Sequence, residues 1–305
     1  MLKKCLLSGI LVVPFVCGAV QAYEPRIADP VLDPWRWREM EELGGHGVLC
    51  MDEAEDGTLW FGCIGGLLKY DGLQIDPIPF DVKLLSGIEH NPNRTPWGIS
   101  VLCLRDGSLL AVIDSGLARW VNGDWEVVVS DVGNSTYATK LQQMDDGTIW
   151  LLMPDSLWHF SEDLETQQVV LREDQTHRLK SFCFDERGDI WVLRDVQLKY
   201  SELIHMPLRA GRLTEETLWN SYLLEQGKPG GEAQICSGPD GRIWYVDNLA
   251  QNEPLAFDPL EKTWSEAEHP ESAKGYFSLF KDRNGILWAG GAGLLYAIDP
   301  SGDRY

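Results

Sequence analysis

The chain has 305 residues, 44% of them hydrophobic and 10% aromatic, with 13 Trp. That is enough to bury a full core without disulfides or metals, and it excludes a disordered polymer. The formal net charge of −21, from 47 acidic and 26 basic residues, argues against nucleic acid and anionic membrane surfaces, which need clustered Lys and Arg.

Residues 1–22 read as a cleaved export signal. Lys3 and Lys4 form the positive region, Leu6 to Val16 the apolar region, and Val20-Gln21-Ala22 the small-residue site that places cleavage before Tyr23. The apolar run is short for a membrane span, and Pro14 and Gly18 interrupt it. The expectation is a periplasmic protein with no stable membrane insertion after cleavage. Residues 23–34 read as a linker and 35–305 as the folded domain. Five cysteines remain after cleavage, Cys50, Cys63, Cys103, Cys183 and Cys236, an odd number that leaves at least one unpaired within the chain. No CxxC and no Cys/His cluster with ligand spacing occurs, so neither a metal nor another cofactor is expected.

One phrase organises the rest. It runs Asp56-Gly57-Thr58-Leu59-Trp60, Asp106-Gly107-Ser108-Leu109-Leu110, Asp146-Gly147-Thr148-Ile149-Trp150, Arg187-Gly188-Asp189-Ile190-Trp191, Asp240-Gly241-Arg242-Ile243-Trp244 and Asn284-Gly285-Ile286-Leu287-Trp288. Its fifth position falls at 60, 110, 150, 191, 244 and 288. Each unit has an apolar run, the Gly turn, a strand that usually carries Trp, and a third run ending in an aromatic, such as Leu67-Leu68-Lys69-Tyr70 or Leu198-Lys199-Tyr200. A more polar fourth run follows, such as Asp124-Trp125-Glu126-Val127-Val128. Gly supplies the positive φ of a tight turn. Four short strands at this period predict a blade of a β-propeller.

Six phrases predict six blades; a seventh would have to hide inside 60–110 or 191–244, and residues 203–217 read instead as an insertion. The sixth unit stops after its third run. The segment Trp35-Arg36-Trp37-Arg38-Glu39-Met40 resembles the outer strands elsewhere, and is expected to pair with Leu294–Ile298 and close the last blade. The fold class is therefore all-β, a six-bladed β-propeller of four-stranded antiparallel blades. Aligning the turns places Cys50, Cys103, Cys183 and Cys236 at one inner-strand position, with Gln143 and Phe280 in the other two blades. The thiols read as small side chains where the blades converge.

Met51 to Asp71 (MDEAEDGTLWFGCIGGLLKYD) and Lys281 to Tyr296 (KDRNGILWAGGAGLLY) resemble the two-component regulator propeller repeat. The resemblance covers most of the chain after the signal, with blades two to five degenerate and Leu110 in place of one Trp. It implies a periplasmic sensing propeller. No kinase or cyclase segment follows the repeats, so the expectation is a chain that binds a ligand freely, works with a separate membrane protein, or is a fragment of a longer gene.

The acidic turn Asp52 to Gly57 could suggest calcium, but the same phrase recurs whatever the local charge, which fits an Asp capping its own backbone. Propeller ligands bind over the central channel. On one face, the loops entering the inner strands carry His46, Trp97, Tyr137, His177, Arg178, Lys274 and Tyr276. The loops between second and third strands carry Asp114, Asp155, Arg194, Asp247 and Asn248. The long loop from Phe80 to Trp97, with His90 and Arg94, reads as a lid. The expected ligand contacts are His46, Arg94, Trp97, Asp114, Tyr137, His177, Arg178, Arg194, Asp247 and Tyr276. Mixed aromatics and single charges suit a small polar ligand. No Ser elbow, metal motif or phosphate loop is present. The reading is thus a ligand-binding module, with a scaffold for a membrane signalling protein as the first alternative and a propeller lyase or glycosidase as the second.

Overall fold

Each turn phrase folds as the sequence dictates. Gly57, Gly107, Gly147, Gly188, Gly241 and Gly285 all have φ between 74° and 88°, where a Cβ would be strained. In four blades the phrase's own Asp accepts the backbone N–H two residues on: Thr58 to Asp56 at 2.9 Å, Ser108 to Asp106 at 2.9 Å, Thr148 to Asp146 at 3.0 Å and Arg242 to Asp240 at 3.1 Å. In the other two blades an Asp at the head of the turn does this work. Asp185 accepts Arg187 N–H and Asp189 N–H, and Asp282 accepts Ile286 N–H. Those two carboxylates also hold the indole N–H of Trp191 and Trp288.

A computed structural model describes residues 40–79, 88, 98–133, 140–208, 220–224, 233–247, 254–267, 276–282, 285–291 and 294–298. They belong to one compact unit, Glu39–Tyr305. Blade one comprises β1 (Val48–Glu53), β2 (Leu59–Cys63), β3 (Gly66–Tyr70) and β4 (Ile75–Pro79). Blade two comprises β5 (Gly98–Cys103), β6 (Leu109–Ile113), β7 (Gly116–Val121) and β8 (Asp124–Val129). Blade three comprises β9 (Lys140–Gln143), β10 (Ile149–Met153), β11 (Ser156–Phe160) and β12 (Gln167–Arg172). Blade four comprises β13 (His177–Phe184), β14 (Ile190–Val196), β15 (Tyr200–Met206) and β16 (Asn220–Leu224). Blade five comprises β17 (Ala233–Ser237), β18 (Ile243–Asp247), β19 (Leu255–Asp258) and β20 (Thr263–Glu266). Blade six comprises β21 (Tyr276–Lys281), β22 (Leu287–Gly291) and β23 (Leu294–Ile298). All neighbouring strands are antiparallel and run in sequence order within their sheets. The fold is a six-bladed β-propeller. The expected closing strand at 35–40 lies almost wholly outside the described residues, as do the export signal and linker. Among the described residues no helix is long and apolar enough to cross a membrane.

Neighbouring blades pack face to face, so the core is a series of inter-blade layers. One layer joins blades one and two through Trp60, Leu67 and Ala111. The next joins blades two and three through Leu110, Val112 and Leu151. Others join three and four through Trp150, Phe182 and Val192, four and five through Trp191, Tyr245 and Phe257, and five and six through Trp244, Leu287 and Tyr296. Inner strands also need partners for their free edges. At one register position, Ser100 Oγ accepts Leu141 N–H (3.2 Å), Ser181 Oγ accepts Ile235 N–H (3.1 Å) and Gln234 Oε1 accepts Leu279 N–H (2.9 Å). At that same register Lys140 Nζ donates to Phe182 O, and nearby Asp52 accepts Cys103 N–H. Five junctions are thus tied. Among the described residues the junction of blade six with blade one shows neither such a bond nor a shared buried cluster.

Two expectations need correction. The cysteines do not share one register. Cys183 and Cys236 sit opposite Trp191 and Trp244, but Cys103 sits opposite Leu109 and Cys50 opposite Gly62. The position opposite the Trp is filled by Asp52, Leu102, Gln142 and Phe280 in the other blades. The turns have one length, closed by the same backbone bond in each blade (Ala54 to Thr58, Leu104 to Ser108, Asp185 to Asp189), so the distance to that bond sets the register. Counting to it separates Cys50 and Cys103 from the other two. The second correction is in blade four. Leu198-Lys199 is a hairpin turn rather than the start of the third strand, and residues 203–206 belong to β15 rather than to an insertion.

Candidate functional site

The β2–β3, β6–β7 and equivalent hairpins share one end of the ring. His46 is exposed there, just before β1, and Asp114 opens the β6–β7 turn at φ 49°. His177 and Arg178 open β13, Arg194 lies in β14, Asp247 ends β18, and Tyr276 opens β21. Arg94, Trp97 and Tyr137 lie outside the described residues, as do Lys274, Asn248 and the side chain of Tyr276.

Blade four brings several of these together on its two faces. Arg194 donates through Nη1 to Glu173 (2.5 Å) and through Nε to Glu202 (2.6 Å), and its Nη2 also contacts Glu202. Burial alone would lower the Arg194 pKa; the bonds and charges of Glu173 and Glu202 outweigh it and raise it. The other oxygen of Glu173 lies 3.7 Å from His177 Nδ1, which is 3.0 Å from Asp174. Hydrogen bonds from Thr176 and His177 hold the Asp174 carboxyl well below the usual range. Glu173 and Asp174 belong to the strap linking blades three and four, so Arg194 and His177 fasten that strap to the sheet.

The opposite face meets blade five. Arg178 pairs in register with Asp195, and Asp195 with Ser201. Lys180 is the extra residue of a β-bulge between Leu179 and Ser181, and the bulge turns its amine onto Asp195 at 3.3 Å. Ser201 Oγ donates to Asp195 (2.7 Å). From blade five, Tyr245 donates to Asp247 (2.7 Å). Burial first, then the bond to Asp247, push the Tyr245 phenol up, and Asp195 adds to the effect. Lys180, Asp195, Ser201, Tyr245 and Asp247 are all buried. Below them the junction is apolar, with Leu193, Leu203 and Tyr245 clustered with Trp191 and Phe257, whose rings meet at 5.6 Å and a tilt of 56°. Bulges recur in blades one, two and six, but there the bulged residues are Leu49, Ile99 and Phe277.

Asp185, Asp189 and His205 have ligand atoms within 4.8 Å of one another at the opposite end of blade four. The arrangement is a variant of a repeated structural feature. The third-strand residue paired with the phrase's fifth position is Lys69, Arg119, His159 or His205 in blades one to four. Lys69 lies over Trp60, His159 packs on Trp150, and His205 stacks on Trp191 at 4.2 Å. Arg119 pairs with Asp106, and His205 with Asp189 at 3.1 Å. A basic or imidazole side chain recurs at this position in blades one to four, so the Asp189–His205 contact is accounted for as a repeated structural feature.

The β14–β15 hairpin differs from its counterparts. In the other blades the second strand ends three residues past the phrase's fifth position, at Cys63, Ile113, Met153, Asp247 and Gly291; β14 ends at Val196, five past Trp191. At ~3.3 Å per residue it projects about 7 Å further. Its turn has Gln197 and Leu198 both at φ 52°, closed by Lys199 N–H to Val196 O, and Thr176 O accepts Gln197 N–H at 2.6 Å. Asn-Gly is the usual occupant of such a turn. Two left-handed residues with side chains cost about 1–2 kcal/mol each.

No protein-family model matches the sequence, and no curated protein does. Solved structures share its fold. Virginiamycin B lyase from Staphylococcus aureus superposes with a TM-score of 0.61 at 12% identity, over 85% of this chain and 83% of that one. YCF48 bound to D1 peptide gives 0.59 at 15% identity, over 85% and 81%. The extracellular domain of a putative hybrid two-component system from B. thetaiotaomicron gives 0.56 at 17% identity, over 83% of this chain and 34% of that one. The likeness is one of fold. It includes an extracellular two-component regulator domain, in keeping with the resemblance of the repeat phrase.

Proposed function

We propose that the protein is an exported recognition module that binds a small polar ligand at the hairpin end of blades four and five, and passes the binding event to a separate membrane signalling protein. One observation carries the reading. Lys180, Asp195, Ser201, Tyr245 and Asp247 are buried together at the end of a junction that is otherwise apolar. Burying a lysine and two carboxylates costs several kcal/mol per ion before pairing offsets it, and apolar residues would close the junction as well. Blades one, two and six use apolar residues at the bulge. A fixed set of charges supports recognition of a ligand with both donor and acceptor groups. The half-buried Arg178, in register with Asp195, is its outer member. The N-terminal signal reading and the likeness to an extracellular regulator domain support export.

The test is a thermal-shift screen of residues 23–305 against sugars, amino acids, nucleotides and cell-envelope fragments. A ligand at 100 times its Kd adds about 2.7 kcal/mol, which raises Tm by roughly 2–4 °C per kcal/mol in a domain of this size. The reading expects one class of polar compound to shift Tm, and Asp247→Asn to abolish the shift. A folded sample that answers to no compound, or a hit indifferent to Asp247, rejects it.

A further inference from the structure

Two exposed apolar features lie on different parts of the ring. One is the projecting tip of the β14–β15 hairpin, where Leu198 is 64% and Tyr200 40% exposed. The other is the junction of blade six with blade one. Met51 has the register of Phe182 and Ile235, both fully buried in their junctions, yet it is 62% exposed. Phe280 has the register of the buried Cys183 and Cys236, yet it is 64% exposed. Val48, Leu49 and Ile64 continue the apolar strip toward the hairpin end.

We propose that the β14–β15 tip of one copy docks into the blade-six/blade-one junction of a second copy. The tip is convex, so it cannot enclose a small molecule; it suits an apolar surface of a macromolecule. Blade four lies across the ring from the six–one junction, so a chain cannot cover its own exposed apolar strip with its own tip. The charges match: Lys199 is exposed on the tip, and Glu41 and Glu53 are exposed beside the junction. The left-handed Gln197-Leu198 turn sets an apolar side chain at the apex, where folding alone favours Asn-Gly. A contact between two different surfaces is heterologous, so it propagates head to tail rather than closing as a symmetric dimer. With a net charge of −21 the copies repel at long range, so the contact is weak and is strengthened by added salt. This inference does not depend on the ligand reading.

Sedimentation velocity on the purified protein, from nanomolar to high micromolar, tests it. The wild type is expected to show dimers and longer species as concentration rises, more so in high salt. Leu198→Asp and Met51→Asp are each expected to stay monomeric. An equimolar mixture of the two is expected to stop at a dimer, because one intact tip meets one intact apolar strip. Both side chains are exposed, and circular dichroism melts check that both variants fold. Gln197→Asn with Leu198→Gly is a second control, expected to raise Tm while losing association. A wild type that is monomeric throughout, association indifferent to these substitutions, or a mixture that stays monomeric while the wild type associates each overturns the proposal.

Discussion

The junction of blades four and five and the junction of blades six and one are built from the same repeat and differ in almost every contact. In the first, Trp191 is buried against His205, Tyr222 and Phe257. The backbone N–H of Ile235 donates to Ser181 Oγ, and a buried ionic network caps the layer. In the second, Trp288 is half-buried, Phe280 is exposed, and the blade-one face packs Phe61, Cys63 and Leu68 against Met40 and Leu43. The repeat phrase therefore specifies a blade, while the neighbouring blade decides what a given side chain experiences. Met51 and Phe182 occupy one register and meet opposite surroundings.

Substitutions can break this contrast. Trp191→Ala is expected to cost about 3–5 kcal/mol, as for other fully buried Trp, and Trp288→Ala less than half of that, read from urea midpoints; equal losses would erase the distinction. Lys180→Met comes next. It leaves Asp195 without its ion-pair partner in a buried site and is expected to cost roughly 3 kcal/mol. Lys180→Met with Asp195→Leu is expected to recover more than half of that in a double-mutant cycle. Simple additivity would show that the pair is not coupled.

Acid sharpens the comparison from the other end of the ring. Asp56, Asp71, Asp146, Asp163 and Asp258 all have lowered pKa values, chiefly through bonds from neighbouring N–H or hydroxyl groups. At Asp106, burial works the other way, but bonds from Ser108 and charge from Arg119 prevail. A carboxylate whose folded pKa lies below its unfolded value stabilises the fold above the unfolded value, near ~3.9, and loses that contribution as pH falls through the folded one. Tm is therefore expected to hold between pH 7 and 5 and to fall below about pH 4. A fall beginning near pH 6 would implicate histidines instead. The smallest effect belongs to the open junction: Met51→Ala is expected to change stability by no more than about 0.5 kcal/mol, measured by the same urea midpoints.

The blade was legible because its signals are local. The Gly turn, its capping Asp and the following Trp lie within seven residues; the phrase's own Asp caps four blades, Asp185 and Asp282 stand ahead of it in the other two, and blade two has Leu110 in place of the Trp. The candidate site was half legible. His177, Arg178, Arg194 and Asp247 follow from counting loops, but Glu173, Lys180, Asp195 and Tyr245 were missed. A visible signal existed: Lys180 and Asp195 interrupt the apolar strands His177–Phe184 and Ile190–Val196. Their pairing depends on a bulge, and the approach of Tyr245 depends on how two sheets pack. Neither is written in residue spacing. The cysteine alignment failed for a related reason, since it matched residue type before register.

Hydrogen exchange by mass spectrometry, with and without the strongest hit of the ligand screen, tests the central claim most directly. The account predicts new protection in 173–180, 194–202 and 245–247, with the Asp-Gly turns at the other end unchanged. Protection confined to those turns, or spread evenly over the ring, would contradict it.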